Sequence, residues 1–253
     1  MPEVVGDSLV VLKRNLIRFR RQPEMLAGYT IQPIMFVLLF VYVFGGSIDT
    51  GMDYVDFLIP GILVQNITFG GALTAVGLVE DLKTGLIDRF RSLPMARSAV
   101  LAGRTLADVV VNLLMTVIVI VVGLIVGFSF STSVVDVVYG IVLLLVFGYG
   151  FSWMFALIGL ISTSAESAQQ FGFILVFPLT FISSAFVPVE NMPAVLEAFA
   201  NVNPFTVTVD AMRHLFVGTP AGNSVWGATL WSIGLIVVFA PLAVLKYRRV
   251  SAR

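Results

Sequence analysis

Fourteen of the fifteen lysines and arginines fall in three short stretches separated by long apolar runs, and a chain so patterned has few ways to fold. The first stretch holds Lys13, Arg14, Arg18, Arg20 and Arg21, and the second holds Lys83, Arg89, Arg91, Arg97 and Arg104. The third holds Lys246, Arg248, Arg249 and Arg253, which leaves Arg213 as the exception. Cationic loops stay on the cytoplasmic side of proteins inserted into a membrane. All three stretches therefore belong on one side, both termini are cytoplasmic, and the number of crossings is even. Asp49, Asp53, Asp56, Asp136, Glu190 and Glu197 then face outside.

Composition agrees with a membrane solvent. Hydrophobic residues make up 58% of the chain, charged residues 12%, and the mean hydropathy is +0.99. A soluble domain carries about a quarter charged residues. The length of 253 residues accommodates a single membrane domain of about six helices at roughly 20 residues each. The net charge of zero hides the asymmetry and does not suggest nucleic acid. The basic segments read as topology determinants and lipid headgroup contacts. There is no cysteine and one histidine, His214, so thiol chemistry and a histidine-based metal site are excluded. No Gly-x-x-x-x-Gly-Lys phosphate loop occurs, so the chain does not hydrolyse ATP in the P-loop manner. No catalytic motif and no cofactor site is expected. No span carries a carboxylate or cation near its centre, which weighs against a carrier driven by an ion gradient. Backbone carbonyls also coordinate sodium, so that class stays open.

Read in order, residues 5–22 form an amphipathic helix. Leu9, Leu12, Leu16 and Phe19 recur at spacings of three and four, with cations filling the other face. Such a helix lies in the headgroup plane as an anchor, or also touches a cytoplasmic partner. Spans are expected over 28–46, 56–79, 106–127, 136–162, 171–187 and 225–245. The loop 80–97 is the longest inner one. Arg104, Asp108 and Asn112 follow at four-residue spacing and so share a helix face. The inner loop from Ser164 to Gln170 has no cation and is placed by counting spans. Pro178 interrupts the short fifth span. The segment 188–224 holds stretches too apolar for a loop and too short to cross. It reads as two short re-entrant helices, over Ala194 to Ala200 after Pro193 and over Phe205 to Val217 after Asn203-Pro204. The fold class is all-α, a six-span integral membrane domain.

The polar residues at depth are Gln65, Asn66 and Thr68 in the second span, with Thr180, Ser183 and Ser184 in the fifth. They mark either a substrate path or ordinary interhelical hydrogen bonding. Phe173, Phe177 and Phe181 line one helix face, as packing or as a binding wall. Were two copies to pair, Gln65, Asn66 and this stripe would lie on a path between them. Arg213 reads as a snorkelling residue paired with Asp210 or Glu197, or as a ligand contact.

The inner loop Glu80-Asp81-Leu82-Lys83-Thr84-Gly85-Leu86-Ile87-Asp88-Arg89-Phe90-Arg91-Ser92-Leu93-Pro94 resembles that of ABC-2-type exporter permeases, above all the daunorubicin-resistance subfamily. So do Ser184-Ala185-Phe186-Val187-Pro188, Met192-Pro193, Asn203-Pro204 and Arg213 in that order. The resemblance covers nearly the whole chain. It implies a permease dimer working with two copies of a separate ATPase that binds ATP and magnesium. It also implies a coupling helix carrying Leu86, Ile87, Asp88, Arg89, Phe90 and Arg91, docked on that ATPase. The chain lacks the Glu-Ala-Ala…Gly loop of importers, which favours export of a hydrophobic or amphipathic small molecule through the cell membrane. A non-transporting membrane scaffold that anchors a cytoplasmic partner is the alternative, with an ion-gradient-driven carrier as another.

Overall fold

The computed structural model describes residues 10–15, 17, 23–83 and 97–250 of the chain. Every regular element among them is helical. Residues 10–15 are helical. Helix α1 (Pro23–Leu39) continues into a π-helical turn, Phe40–Phe44. Helices α2 (Tyr54–Gly70) and α3 (Ala72–Lys83) make one long rod broken at Gly71. Then come α4 (Arg97–Ile125), α5 (Val134–Ile161) and α6 (Ala165–Phe181). A 3-10 turn, Val189–Asn191, leads to α7 (Ala194–Val202), α8 (Pro204–Val217) and α9 (Ser224–Val250).

Among the described residues, four helical stretches are long and apolar enough to cross a membrane: Tyr54–Lys83, Leu101–Ile125, Val134–Ile161 and Ser224–Arg249. A shorter apolar helix covers Thr30–Phe44. The 17 residues of α6 reach about 26 Å at ~1.5 Å per residue, a little under the ~30 Å hydrocarbon core.

Several boundaries differ from the sequence expectation, each for a local reason. The fifth helix was expected over 171–187 and lies over Ala165–Phe181. Its start is set by a capping box, in which the Ser164 hydroxyl accepts from the Ser167 amide at 3.0 Å and the Ser167 hydroxyl accepts from the Ser164 amide at 3.1 Å. The polar residues read as an inner loop are thus its first turns. Its end is set by Asn203, whose side-chain amide donates to the carbonyls of Leu179 at 2.7 Å and Ile182 at 2.6 Å. Those carbonyls have no intrahelical partner at a helix terminus. Ser183 and Ser184 consequently lie in a packed turn beyond the helix. Pro178 does not interrupt α6, which runs through it, while Thr180 donates to the Val176 carbonyl at 3.0 Å. Helix α1 begins at Pro23 rather than Gly28, consistent with the preference of proline for a first helical turn. Helix α4 begins at Arg97 rather than Leu106, and Arg104, ahead of the expected start, finds Asp81 on α3.

The α2–α3 rod and α5 are the enclosed centre, with α9 and α4 more open. Phe147, Phe151 and Phe155 sit at four-residue spacing on one face of α5, each 1% exposed or less. Phe205 of α8 meets two of these rings edge-on, with centroids at 6.1 and 5.8 Å. A second apolar cluster at the other end of the bundle gathers Leu78, Leu101, Trp153, Leu160 and Tyr247.

A polar seam joins α3 to α4. Arg104 donates to Asp81 at 2.6 Å, and Arg14 from the N-terminal helical stretch reaches the same carboxylate oxygen at 3.3 Å. One turn along, Thr74 donates to Asp108 at 2.7 Å. Asn112 then packs against Gly70, where a Cβ would overlap its side-chain oxygen. Gly77 likewise makes room for the Arg104 guanidinium. The four-residue repeat of Arg104, Asp108 and Asn112 thus meets Asp81, Thr74 and Gly70 on the facing rod.

Candidate functional site

A cavity of about 450 Å³ opens between α1, α2, α3 and α6. The aromatic stripe forms one wall, because positions four apart on a helix point the same way. Ring centroids are 4.8 Å apart for Phe173 and Phe177 and 4.3 Å apart for Phe177 and Phe181. These rings are 52%, 40% and 40% exposed, so they are not core. Gln65 from α2 lies in the same lining and is itself buried. Asn66 does not join it: one residue along a helix turns the side chain by about 100°.

Two further glutamines, Gln32 of α1 and Gln169 of α6, complete the polar part of the lining. The sequence carried no signal for either, since an isolated glutamine has no pattern. Gln169 had been placed in a loop, and the helix start at Ala165 is what brings it to the cavity.

The rings continue past the stripe in both directions. Phe69 lies 6.3 Å from Phe173 at one end. At the other, Phe186 is 5.4 Å from Phe181 and 4.7 Å from Phe40, which in turn is 5.2 Å from Phe44. Phe36, Phe40 and Phe44 recur at four-residue spacing, and Phe186, in the turn after α6, joins them to the stripe. The cavity therefore offers an aromatic face and three neutral hydrogen-bonding side chains. It suits an amphipathic guest, with apolar contact for affinity and a few polar groups for orientation.

Arg213 is elsewhere, at the end of the molecule held by α7 and α8. It is 5% exposed, so it does not snorkel. Its Nε donates to the Phe57 carbonyl at 3.0 Å, one Nη donates to Asp210 at 3.0 Å, and the other donates to the Ser184 carbonyl. The guanidinium carbon stands 3.5 Å from the centre of the Phe57 ring. Ser184 also donates its hydroxyl to Asp210 at 2.8 Å. Burial pulls the Arg213 group down to about 10 against the attraction of Asp210, and it stays cationic at neutral pH. The Asp210 carboxyl is raised by burial, with Arg213 opposing. Asp210 and Arg213 line a separate open cavity of about 710 Å³. Because the Arg213 donors are committed to protein acceptors, its observed work is to tie α8 to α2 and to the turn after α6.

Leu86, Ile87, Asp88, Arg89, Phe90 and Arg91 lie outside the described residues. The helices on either side of them, α3 and α4, are the two joined by the polar seam. Among the described residues no three His, Cys, Asp or Glu side chains come together as a metal site.

Comparison with known proteins adds family evidence to this geometry. Residues 8–217 match the family model described as ABC-2 type transporter. The chain is 34% identical to the daunorubicin resistance ABC transporter permease protein DrrB1 of Streptomyces coeruleorubidus, over 98% of this chain and 88% of that one. It is 24% identical to the probable doxorubicin resistance ABC transporter permease protein DrrC of Mycobacterium tuberculosis, over 98% and 90%. It is 26% identical to the probable multidrug ABC transporter permease YbhR of Escherichia coli, over 74% and 50%.

Proposed function

This chain belongs to the ABC-2 type transporter family and is the permease subunit of an ABC exporter, and from that premise we propose that it carries a hydrophobic or amphipathic drug-like molecule out of the cell. Its ATP-hydrolysing partner is a separate ABC ATPase. In this reading two copies of the permease pair in the cell membrane, each with six spans and cytoplasmic termini, and two ATPase copies dock beneath them. The short helices Thr30–Phe44 and α6 supply the crossings that complete the six. Leu86, Ile87, Asp88, Arg89, Phe90 and Arg91 form the coupling contact, with apolar anchors for affinity and charges for orientation.

The observation that carries the substrate reading is the 450 Å³ cavity, where Gln65 faces the Phe173–Phe177–Phe181 stripe. It lies beside the exposed side of α6, where a second copy would enclose it. Daunorubicin is the first substrate to try, because the 34% identical relative is named for resistance to it. The chain should copurify with an ABC ATPase in detergent. Inverted vesicles containing both should accumulate daunorubicin with ATP and not with a non-hydrolysable analogue. Phe90→Ala should lower ATPase recovery or transport about tenfold while leaving membrane insertion intact. Vesicles that hydrolyse ATP yet accumulate neither daunorubicin nor any lipophilic dye would rule the export reading out.

A further inference from the structure

The cavity of about 710 Å³ at the end held by α7 and α8 is larger than the aromatic one and unlike it in charge. Met52, Phe57, Val189, Val207 and Pro220, from separate parts of the chain, give it apolar walls. Glu190 and Asp210 are the acidic residues of its lining and Arg213 is the basic one, which leaves one net negative charge. The lining of the aromatic cavity holds no charged residue at all.

Hydrogen bonding decides which atom of Asp210 is on offer. The Ser184 hydroxyl donates to Oδ1 at 2.8 Å, and Arg213 donates to the same oxygen at 3.0 Å. Among the described residues nothing donates to Oδ2, although the side chain is 43% exposed and lines the cavity. A carboxylate oxygen accepts about two hydrogen bonds, so Oδ1 is filled and Oδ2 is open. Glu190, exposed in the 3-10 turn, is close enough to act on this group. Burial is the main effect raising the Asp210 carboxyl, Arg213 opposes it, and Glu190 raises it further. A cation beside the two carboxylates relieves their repulsion. Arg213 does not supply it, because its donors are spent on Asp210 and on the carbonyls of Phe57 and Ser184.

Size selects the kind of cation. Small-molecule sites run to roughly 300–1,000 Å³, whereas a water takes about 30 Å³, so an inorganic ion would fill only a corner here. Calcium also wants about six to eight oxygen ligands, and among the described residues no three His, Cys, Asp or Glu side chains gather. A molecule with an apolar body and one ammonium group matches both the walls and the net charge. We propose that this cavity is a second ligand site, which takes an amphipathic organic amine whose ammonium group donates to Oδ2 of Asp210 with Glu190 beside it. It goes beyond the export reading, since binding there needs neither ATP nor the aromatic cavity.

Asp210→Asn is the informative change. Its amide oxygen still accepts from Ser184 and Arg213, while an N–H donor replaces the open oxygen. The probe is dansylcadaverine, a primary amine on an aromatic body, compared with its uncharged N-acetyl derivative by fluorescence anisotropy. The full chain in phosphatidylcholine nanodiscs should bind the amine about tenfold or more tighter than the acetylated form. Asp210→Asn should bring the two within about twofold, and Glu190→Gln should lower the ratio about threefold. Glu166→Gln removes an exposed carboxylate outside this cavity and should leave the ratio unchanged. If Asp210→Asn does not accumulate as folded protein, Glu190→Gln decides alone. Equal affinity for the two probes in the unaltered chain, or an unchanged ratio in either cavity variant, overturns the proposal. So does displacement of the amine by millimolar calcium at physiological salt, which would mark an inorganic ion site. Failure of the export reading would look different: vesicles would accumulate no substrate while the amine preference and its loss in Asp210→Asn persisted.

Discussion

Arg213 shows how much one side chain decides in this molecule. A guanidinium presents several donors in a fixed fork, and here the fork spans three acceptors on three parts of the chain. Lysine has the charge but not the geometry. Removing the cation altogether leaves Asp210 without its ion pair and takes the guanidinium donors from the carbonyls of Phe57 and Ser184. Breaking a buried pair by deleting one member costs about 3–5 kcal/mol, and Arg213→Met should fall near the lower end because Asp210 is partly exposed. Arg213→Lys should lose roughly half as much. Melting of the purified protein in detergent measures both, and an unchanged midpoint for Arg213→Met would refute the tie. Residue identity alone was informative here, since one cation outside the three clusters stood out in the sequence. Asp210 was one of the two partners the sequence offered, and the other two acceptors are main-chain carbonyls that any residue type supplies.

At the scale of elements, the aromatic stripe of α6 is the feature on which the proposed substrate path depends. Its helical spacing was legible from Phe173, Phe177 and Phe181, but an aromatic stripe at that spacing more often marks packing than a binding wall. The exposures of 40–52% decide against core, and the neighbours decide what the wall belongs to. Because these rings are already half exposed, Phe177→Ala and Phe181→Ala should cost about 1 kcal/mol or less, against ~3–5 kcal/mol for a buried phenylalanine. The ratio of daunorubicin to rhodamine transport should shift at least threefold in each. Collapse of expression, or an unaltered ratio for every substrate tried, would return the stripe to packing. The same helix shows why its ends were misplaced. Glu166, Gln169 and Gln170 look like loop residues by polarity, yet a serine capping box starts the helix before them. The helix also stops early, because Asn203 from a distant segment satisfies its last carbonyls.

For the whole molecule, the charge asymmetry makes a prediction that single cysteines can test in a chain with none of its own. Asp53, Asn223 and Ser131 lie exposed between helices at one end, and Glu166 is exposed at the start of α6. Cysteines at Asp53, Ser131 and Asn223 should label from outside in intact cells. Cysteines at Glu166 and Ser251 should label only after permeabilisation. Labelling of Glu166→Cys from outside would invert α6 and break the six-span scheme.

The sequence by itself determined the apolar character and the helical class, because these depend on sums over many residues, and the same sums carry the expectation of sidedness. Apolar runs of membrane length and three cationic clusters survive any local error. It also exposed the two loop signatures that led to the family. Tertiary structure alone decided which polar residues matter together. Gln65 and Asn66 are adjacent in sequence, yet one faces the cavity and the other does not, since helix rotation separates neighbours. Gln32, Gln65 and Gln169 meet although long stretches of chain divide them. Asp81 meets Arg104 where Gly77 leaves room for the guanidinium, and it also takes Arg14 from the N-terminal helical stretch. Periodicity places a residue on a face, but only the packing of helix against helix says what that face meets.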